Sequence, residues 1–184
     1  TQGGKAAINL DGAQMLATSI NLSATSTLHD ASLAVTSGIA KAEAAATIDV
    51  QSSQLRTTEN FTAQATTTVN TSTFTTPIAA SVQRVDARAT VNVGGSSTLT
   101  VAGDAQLGAT TSVSTNATPT SALANKAGDA AVAVSDVTSV AQVRVTGTTT
   151  ATVTGKLGLA AANTVSTTSL ADAAAAGGTA AGAA

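Results

Sequence analysis

Two stretches of the chain, FTAQATTTVNT at residues 61–71 and AQLGATTSVST at residues 105–115, repeat one another and decide the fold. Both alternate small or apolar residues with polar ones, and both are rich in Thr. β-branched side chains favour extended backbone, and alternation at i and i+2 is the period of a strand. Two related stretches flank this pair, INLSATSTLHD from residue 20 and LGLAAANTVST from residue 157. The sequence therefore predicts one strand position that occurs four times.

A shorter alternating element precedes each of these stretches. It reads AAINL at residues 6–10, ATIDV at 46–50, ATVNV at 89–93 and AQVRV at 141–145. The centre of the short element lies 14 to 16 residues before the third residue of the stretch that follows it, whereas successive units start 40, 43 and 52 residues apart. The spacing inside a unit is thus nearly constant, whereas the segment that connects one unit to the next varies in length.

Repeats of this length are typical of propeller blades or of a solenoid. Propeller blades usually carry aromatic signatures, and this chain has two Phe and no Trp or Tyr. We therefore predict an all-β, right-handed parallel β-helix, a β-solenoid of about four degenerate repeats, in which like residues stack about 4.8 Å apart. We expect strands of roughly five to seven residues with Thr on their outer faces, and roughly two coils in each unit, hence about seven or eight rungs.

The whole chain, residues 1–184, is interpreted as one solenoid with approximate units 1–40, 41–83, 84–135 and 136–184. A helix remains an alternative for AKAEAAA, which starts at Ala40, because Ala is the best helix former. The last residues, ADAAAAGGTAAGAA, contain three Gly, each costing about 1 kcal/mol inside a helix, so a strand of small residues or a frayed end is favoured there. This end looks like the opening of another unit, and we expect the chain to be a fragment or subunit of a longer rod.

Composition excludes several classes of function. Charged residues make up 10% of the chain, against about 25% in an average domain, and 8 basic and 10 acidic residues give a net charge of −2. No basic patch is available for phosphate groups, so no nucleic-acid partner is expected. The chain has no Cys, which excludes disulfides and thiolate metal sites. It has no apolar run of about 18 residues and no signal-peptide pattern at its start, so membrane insertion is not expected either.

The segment GGSSTLTVAGDAQLGATT, residues 94–111, resembles the repeats of large bacterial surface proteins, namely filamentous-haemagglutinin-like adhesins and autotransporter passengers. The same pattern recurs more weakly in TGTTTATVTGKLGLAAANT, residues 146–164. The resemblance covers most of the chain and implies a right-handed parallel β-helix that is secreted and acts mainly as a stalk.

Few residues are candidates for chemistry. His29 is the sole histidine and could form a Ser-His-Asp set with Ser26 and Asp30, but neighbouring residues of a strand point to opposite faces, so we interpret His29 as a surface residue at a corner. Asp104 and Asp129 lie in Ala-Gly-Asp-Ala segments that hint at calcium, yet each stands alone, and a turn-forming role is favoured. We predict no catalytic, cofactor-binding or metal site, no cofactor, and no enzymatic activity.

Two alternatives to a structural role remain open. Polysaccharide-cleaving enzymes share the β-helix fold, but they need clustered acids and usually aromatic sugar platforms, and here the acids are spread along the chain. The Thr clusters at 66–68, 73–76 and 148–150 suggest a Thr-rich ice-binding solenoid. Such proteins keep a regular Thr-x-Thr array in every coil, whereas the Thr positions here are expected to drift.

The leading hypothesis is a non-catalytic structural or adhesive segment of a secreted bacterial surface or filament protein. It would provide a stiff rod, and its open ends would favour end-to-end assembly. The expected partners are neighbouring repeats or subunits of its own kind and a host or matrix surface. The expected location is extracellular, at the bacterial cell surface.

Overall fold

The structure is a computed structural model that describes residues 2–29, 39–71, 80–117, 120–122, 129–174 and 180–183. Within these ranges the chain forms fifteen strands and no helix. The strands are β1 (Gln2–Asp11), β2 (Gln14–Ala17), β3 (Ile20–Leu28), β4 (Ile39–Gln51), β5 (Gln54–Thr57), β6 (Phe61–Thr71), β7 (Ala80–Gly94), β8 (Thr98–Val101), β9 (Ala105–Ala117), β10 (Thr120–Ala122), β11 (Asp129–Val145), β12 (Thr150–Val153), β13 (Leu157–Ser169), β14 (Asp172–Ala174) and β15 (Ala180–Ala183).

Three parallel sheets run through these strands. Sheet A has the order β1-β4-β7-β11-β15, sheet B the order β2-β5-β8-β12, and sheet C the order β3-β6-β9-β13. A fourth sheet pairs only β10 with β14. Each turn of the chain thus adds one strand to each of the three sheets in succession, which is the arrangement of a β-solenoid. The prediction of an all-β solenoid with parallel strands is confirmed.

The repeats that the sequence indicates lie in register in the sheets. In sheet A, Ile8 pairs with Ile48, which pairs with Val91, which pairs with Val143. In sheet C, the equivalent positions begin at Ile20, Phe61, Ala105 and Leu157. Side chains of one position therefore stack on their equivalents in the next coil, because parallel in-register pairing places them at the spacing of neighbouring strands.

The expectation of two coils in each unit is wrong. A strand of one unit pairs directly with the equivalent strand of the next, so a unit is a single coil. The reason is strand length: β4, β7, β9 and β11 have 13, 15, 13 and 17 residues instead of five to seven. The unit boundaries at residues 41, 84 and 136 lie inside β4, β7 and β11, whose first residues already belong to the new coil.

The helical alternative at Ala40 is wrong, since these residues form the first half of β4. Ala40, Ala42 and Ala44 are buried with at most 3% exposure, and Lys41 and Glu43 between them face outward. This period of two matches a strand with one buried face, and the tertiary environment overrides the helix propensity of Ala. At the end of the chain, the favoured small-residue strand corresponds to β14 and β15, and residues 175–179 between them lie outside the described ranges.

Sheets A and C pack against each other, and sheet B closes one side of the space between them. Among the described residues, the core has two apolar clusters built from Ala, Val, Leu and Ile, and Phe61 is their one aromatic member. Thr lies on outer faces as expected, for example at Thr25, Thr66 and Thr110, but it also lies inside the coil. Thr57, Thr67, Thr111 and others are buried, because a β-branched hydroxyl side chain fits a strand equally well facing inward if its oxygen finds a partner.

A row of inward polar residues separates the two clusters. It consists of Ser26, Thr67, Thr111 and Asn163, which pair in register in sheet C. The Thr67 hydroxyl donates to the Arg88 carbonyl at 2.7 Å, and the Thr111 hydroxyl donates to the Asn163 Oδ1 at 2.8 Å. We call this set the inner polar row.

The corner between sheets A and B repeats in each coil. Its residues with positive φ are Gly12 (61°), Ser52 (49°), Gly95 (66°) and Gly147 (72°). Ser52 is the non-Gly residue of the set, and this conformation costs an L-residue about 1–2 kcal/mol. Behind the corner, the buried Ser97 hydroxyl donates to the Gly94 carbonyl at 2.6 Å and accepts from the Ser53 backbone N–H at 3.2 Å.

The stack is broad and short. Four strands at about 4.8 Å give a height of roughly 20 Å, whereas the 17 residues of β11 extend about 55 Å. The last coil is open toward solvent: Leu157, Leu159 and Val165 of β13 are inward positions by register, yet they are 52%, 54% and 47% exposed.

Candidate functional site

The outward face of sheet C is a candidate binding surface because its hydroxyl groups lie in columns. Thr25 pairs with Thr66, and Thr66 pairs with Thr110. Two residues further along the strands, the positions are occupied by Thr27, Thr68, Ser112 and Thr164. The expected drift of the Thr positions is thus absent from these two columns, where Ser112 and Ala162 are the only departures from Thr. In the other outward columns of sheet C the residue type does change from coil to coil, as in Asn21, Thr62, Gln106 and Gly158.

The outward face of sheet C is uncharged over its described positions. Its side chains are hydroxyls, amides, Ala and Gly: Asn21, Ser23, Thr25, Thr27, Thr62, Gln64, Thr66, Thr68, Asn70, Gln106, Gly108, Thr110, Ser112, Ser114, Asn116, Gly158, Ala160, Ala162, Thr164, Ser166 and Thr168. We call this surface the hydroxyl face. Charges appear only at its border, for example Asp104 and Lys156 at the corner with sheet B.

The outward face of sheet A has the opposite chemistry. It carries charges of both signs in the central strands, and three ion pairs connect them. Arg84 Nε lies 2.8 Å from Asp136 Oδ2 in the next coil, and Arg88 Nε lies 2.8 Å from Asp86 Oδ1 on the same strand. Lys41 pairs with Glu43. We call this surface the charged face.

These ion pairs shift two pKa values. The hydrogen bond and the positive charge of Lys41 lower the pKa of Glu43 below its ordinary value. The hydrogen bond and the negative charge of Asp86 raise the pKa of Arg88 above the ordinary value of a guanidinium group. Both groups are in contact with water, so each pair contributes little to stability.

The open end of the last coil is a second candidate surface. Val145, Leu157 and Leu159 line an apolar cavity of about 180 Å³ together with residues of the preceding coil. The atoms that line the cavity are apolar, although Thr149 is among the lining residues. The equivalent positions one coil earlier, Val93, Ala105 and Leu107, are at most 4% exposed. The cavity therefore lies where the side chains of one more coil would pack.

Ser26 and His29 of the possible catalytic set do not come together. His29 is exposed just after β3, and its Nδ1 lies 3.2 Å from the Nδ2 of Asn70 in the next coil. Ser26 is buried in the inner polar row and donates to the Gly4 carbonyl at 3.0 Å. Asp30 lies outside the described residues.

Asp104 contributes to a corner. Its Oδ1 accepts a hydrogen bond from the Lys156 backbone N–H at 2.8 Å in the next coil, and its own N–H donates to the Asn60 Oδ1 at 2.9 Å. The other candidate for calcium, Asp129, is the first residue of β11, and its side chain lies outside the described set. Over the described ranges, no three acidic or histidine side chains converge in the way that metal ligands do.

Sequence reasoning missed the inner polar row and the columns of the hydroxyl face. The signal was present in the aligned segments ATST, ATTT, ATTS and AANT, whose third letter is polar although it falls on the inward phase of the strand. The second and fourth letters of these segments face outward, and the first and third face inward. This assignment could be made only once the pairing register was known. Without that register, Thr-rich runs look the same in every phase.

Comparison of the chain with protein-family models, with curated proteins and with solved structures gave no match. Across the described residues there is no helix with the length and apolar character needed to cross a bilayer. The surfaces themselves therefore carry the functional interpretation.

Proposed function

We propose that the chain is a non-catalytic structural or adhesive segment of a secreted bacterial surface or filament protein, built as a right-handed parallel β-helix of about four repeats. The observation that carries this proposal is the in-register pairing of every unit with the next through three sheets. Such stacking is additive, since each coil contacts only its neighbours and a further coil can be added by the same contacts. The proposed location is the bacterial cell surface.

Stiffness follows from the breadth of the coil. Strands of up to 17 residues in sheet A and up to 13 residues in sheet C give each layer a width several times the rise of about 4.8 Å per coil. A wide cross-section resists bending, but each coil of 40 to 52 residues adds little length. The proposed rod therefore needs many coils, supplied by repeats of the same kind or by end-to-end contact between copies.

The open end supports such end-to-end contact. The inward residues of the last coil at three positions, Ala141, Leu159 and Ala161, would meet Ala6, Leu22 and Ala24 of a first coil if a second copy continued the register. Like residues would then stack as they do inside the chain. Burial of exposed Leu and Val side chains stabilises such a contact by roughly 25 cal/mol per Å² of apolar surface.

Electron microscopy and sedimentation of the 184-residue chain test the proposal. We expect stacks or filaments that lengthen with concentration. The variant Leu159→Lys places a charge in the open end and should leave single particles, whereas Ala160→Lys, at the adjacent outward position of the same exposed strand, should still assemble. Compact single particles of the unsubstituted chain at all concentrations would contradict end-to-end assembly, and equal behaviour of the two variants would place the contact elsewhere.

A further inference from the structure

The hydroxyl face carries an inference beyond the rod. We propose that this face binds ice: its columns of Thr and Ser hydroxyls hold water in lattice order, and the protein adsorbs to ice through that layer. The proposal concerns one outward surface and does not depend on end-to-end assembly, so the two can fail separately.

The spacing of the columns fits a water lattice. Neighbouring strands are about 4.8 Å apart, so Thr25, Thr66 and Thr110 repeat at that distance across the sheet. In a tetrahedral network of O–H···O bonds of about 2.75 Å, two oxygens bound to the same neighbour lie roughly 4.5 Å apart. A column of hydroxyls at the strand spacing therefore lies close to the repeat of such a network.

The side chains that form the columns are rigid. Thr is β-branched and has restricted χ1 freedom on a strand. Thr66 and Thr68 lie on an inner strand of sheet C and are only half-exposed, with neighbours in the coils before and after them. Little side-chain entropy is then lost when water orders on the face, since fewer rotamers are available to lose.

The charge distribution favours a neutral partner over an ionic one. No strand position of the hydroxyl face carries an ionisable group, and His29 lies at its edge, with Nδ1 3.2 Å from the Asn70 Nδ2. Lys41, Glu43, Arg84, Asp86 and Arg88 are all on the charged face. A charged group organises a tight hydration shell of its own, which competes with lattice order. The absence of charge from a surface this polar fits ice, which is neutral and hydrogen-bonds at every lattice point.

A polysaccharide is the competing partner for a neutral hydroxyl surface. Sugar rings are commonly held on aromatic platforms, and no aromatic side chain is among the outward positions described for sheet C. The two aromatic residues of the chain are Phe61, which is buried in the core, and Phe74, which lies outside the described residues. Ice is therefore the occupant that the surface favours.

The array is incomplete at two positions, and this provides a gain-of-function test. Thr-x-Thr occurs at residues 25–27 and 66–68, whereas Ser112 and Ala162 interrupt the columns in the third and fourth coils. The double substitution Ser112→Thr and Ala162→Thr would complete them. The matched control is Ala7→Thr, which completes the column of Thr47 and Thr90 on the charged face.

A loss-of-function pair uses two outward, half-exposed Thr of the same coil. Thr66→Lys inserts a long charged side chain into the hydroxyl face, and Thr47→Lys does the same on the charged face. Thermal melting and far-UV circular dichroism show whether both variants remain folded. Because the exposures match, a difference in ice activity then reports on the face and not on folding.

Thermal hysteresis and the shape of ice crystals are the measurements. We expect hysteresis and faceted crystals with the unsubstituted chain, an increase in the completed array, no change in Ala7→Thr or Thr47→Lys, and loss of most of the hysteresis in Thr66→Lys. Round crystals without hysteresis at millimolar concentration would overturn the proposal, as would equal losses in the two Lys variants. Retention on crystalline chitin or cellulose without any effect on ice would assign the face to a polysaccharide and overturn it as well.

Discussion

The charged face and the hydroxyl face belong to the same coils and cover the same core, yet one exposes ionised side chains to water and the other exposes neutral polar side chains. On sheet A, charges of opposite sign alternate along a strand, as Arg84, Asp86 and Arg88 illustrate. Across coils, Arg84 has Asp136 on one side and the like charge of Lys41 on the other. On sheet C, the described outward positions use neutral hydroxyls and amides. In-register stacking explains why both work: like hydroxyls tolerate one another in a column, whereas charges need a partner of opposite sign nearby.

The largest expected effect comes from placing a column of charge on each face. Thr25→Asp, Thr66→Asp and Thr110→Asp together stack three carboxylates about 4.8 Å apart with no cation on that face, which should cost about 2 kcal/mol of unfolding free energy at low salt. Added salt should recover part of this loss. Urea denaturation at two ionic strengths measures both.

The matched triple substitution on the charged face is Ala7→Asp, Thr47→Asp and Thr90→Asp, which occupies one column of sheet A. The two adjacent columns hold the cations Lys5, Arg88 and Arg144 against the one anion Asp49, so attraction offsets part of the repulsion. We expect less than half the destabilisation of the sheet C triple. Equal losses would mean that the local charges of sheet A do not distinguish the two faces.

The second effect compares inner and outer hydroxyls of one strand. Thr67→Val removes the hydrogen bond to the Arg88 carbonyl and should cost about 1 kcal/mol of unfolding free energy, whereas Thr66→Val on the outward side should be nearly neutral.

Thr115 gives the opposite case, because its buried Oγ1 has no hydrogen-bond partner among the described residues. Thr115→Val should therefore stabilise the fold. The urea denaturation midpoints of Thr66→Val, Thr67→Val and Thr115→Val test these expectations. Destabilisation by Thr115→Val would show that its hydroxyl does have a partner.

The third effect is the coupling across coils on the charged face. A double-mutant cycle with Arg84→Ala and Asp136→Ala should give a coupling energy of about 0.5 kcal/mol at low salt, since both side chains are more than a third exposed. The cycle with Thr68→Ala and Ser112→Ala, an adjacent pair of the hydroxyl face, should be insensitive to salt. A salt-independent coupling at Arg84 and Asp136 would exclude an electrostatic origin.

The smallest effect is a titration. The pKa of Glu43 should lie below the ordinary range of a Glu side chain, and Lys41→Met should raise it, because the neighbouring cation that favours the carboxylate is removed. The sign for stability follows: the contribution of the pair is present above the ordinary pKa and is lost as pH falls through the lowered pKa. NMR titration of the Glu43 side chain measures this, and an unchanged pKa in Lys41→Met would contradict it.

The repeat, the strand period and the parallel solenoid were predictable because they depend on local alternation and on copies that can be aligned by eye. The number of residues in a coil was not predictable, because the Ala-rich first half of β4 has the composition of a helix. Only the packing that buries Ala40 and Ala42 identifies it as a strand. The two outward faces were also hidden. Whether Thr66 or Thr67 faces outward depends on the register in which the strands pair. Successive units start 40 to 52 residues apart, and this unequal spacing obscures the register in the sequence.

The inner polar row limits which coil can follow which. Shifting a coil by two residues keeps its apolar side chains inward, and Ala or Val would still meet Ala or Val, so apolar burial alone hardly penalises the slip. The Thr111 hydroxyl, which donates to the Asn163 Oδ1, would then face Ala161 or Val165. A buried polar group left without its partner costs about 1–3 kcal/mol, so this pair discriminates against a fourth coil added out of register.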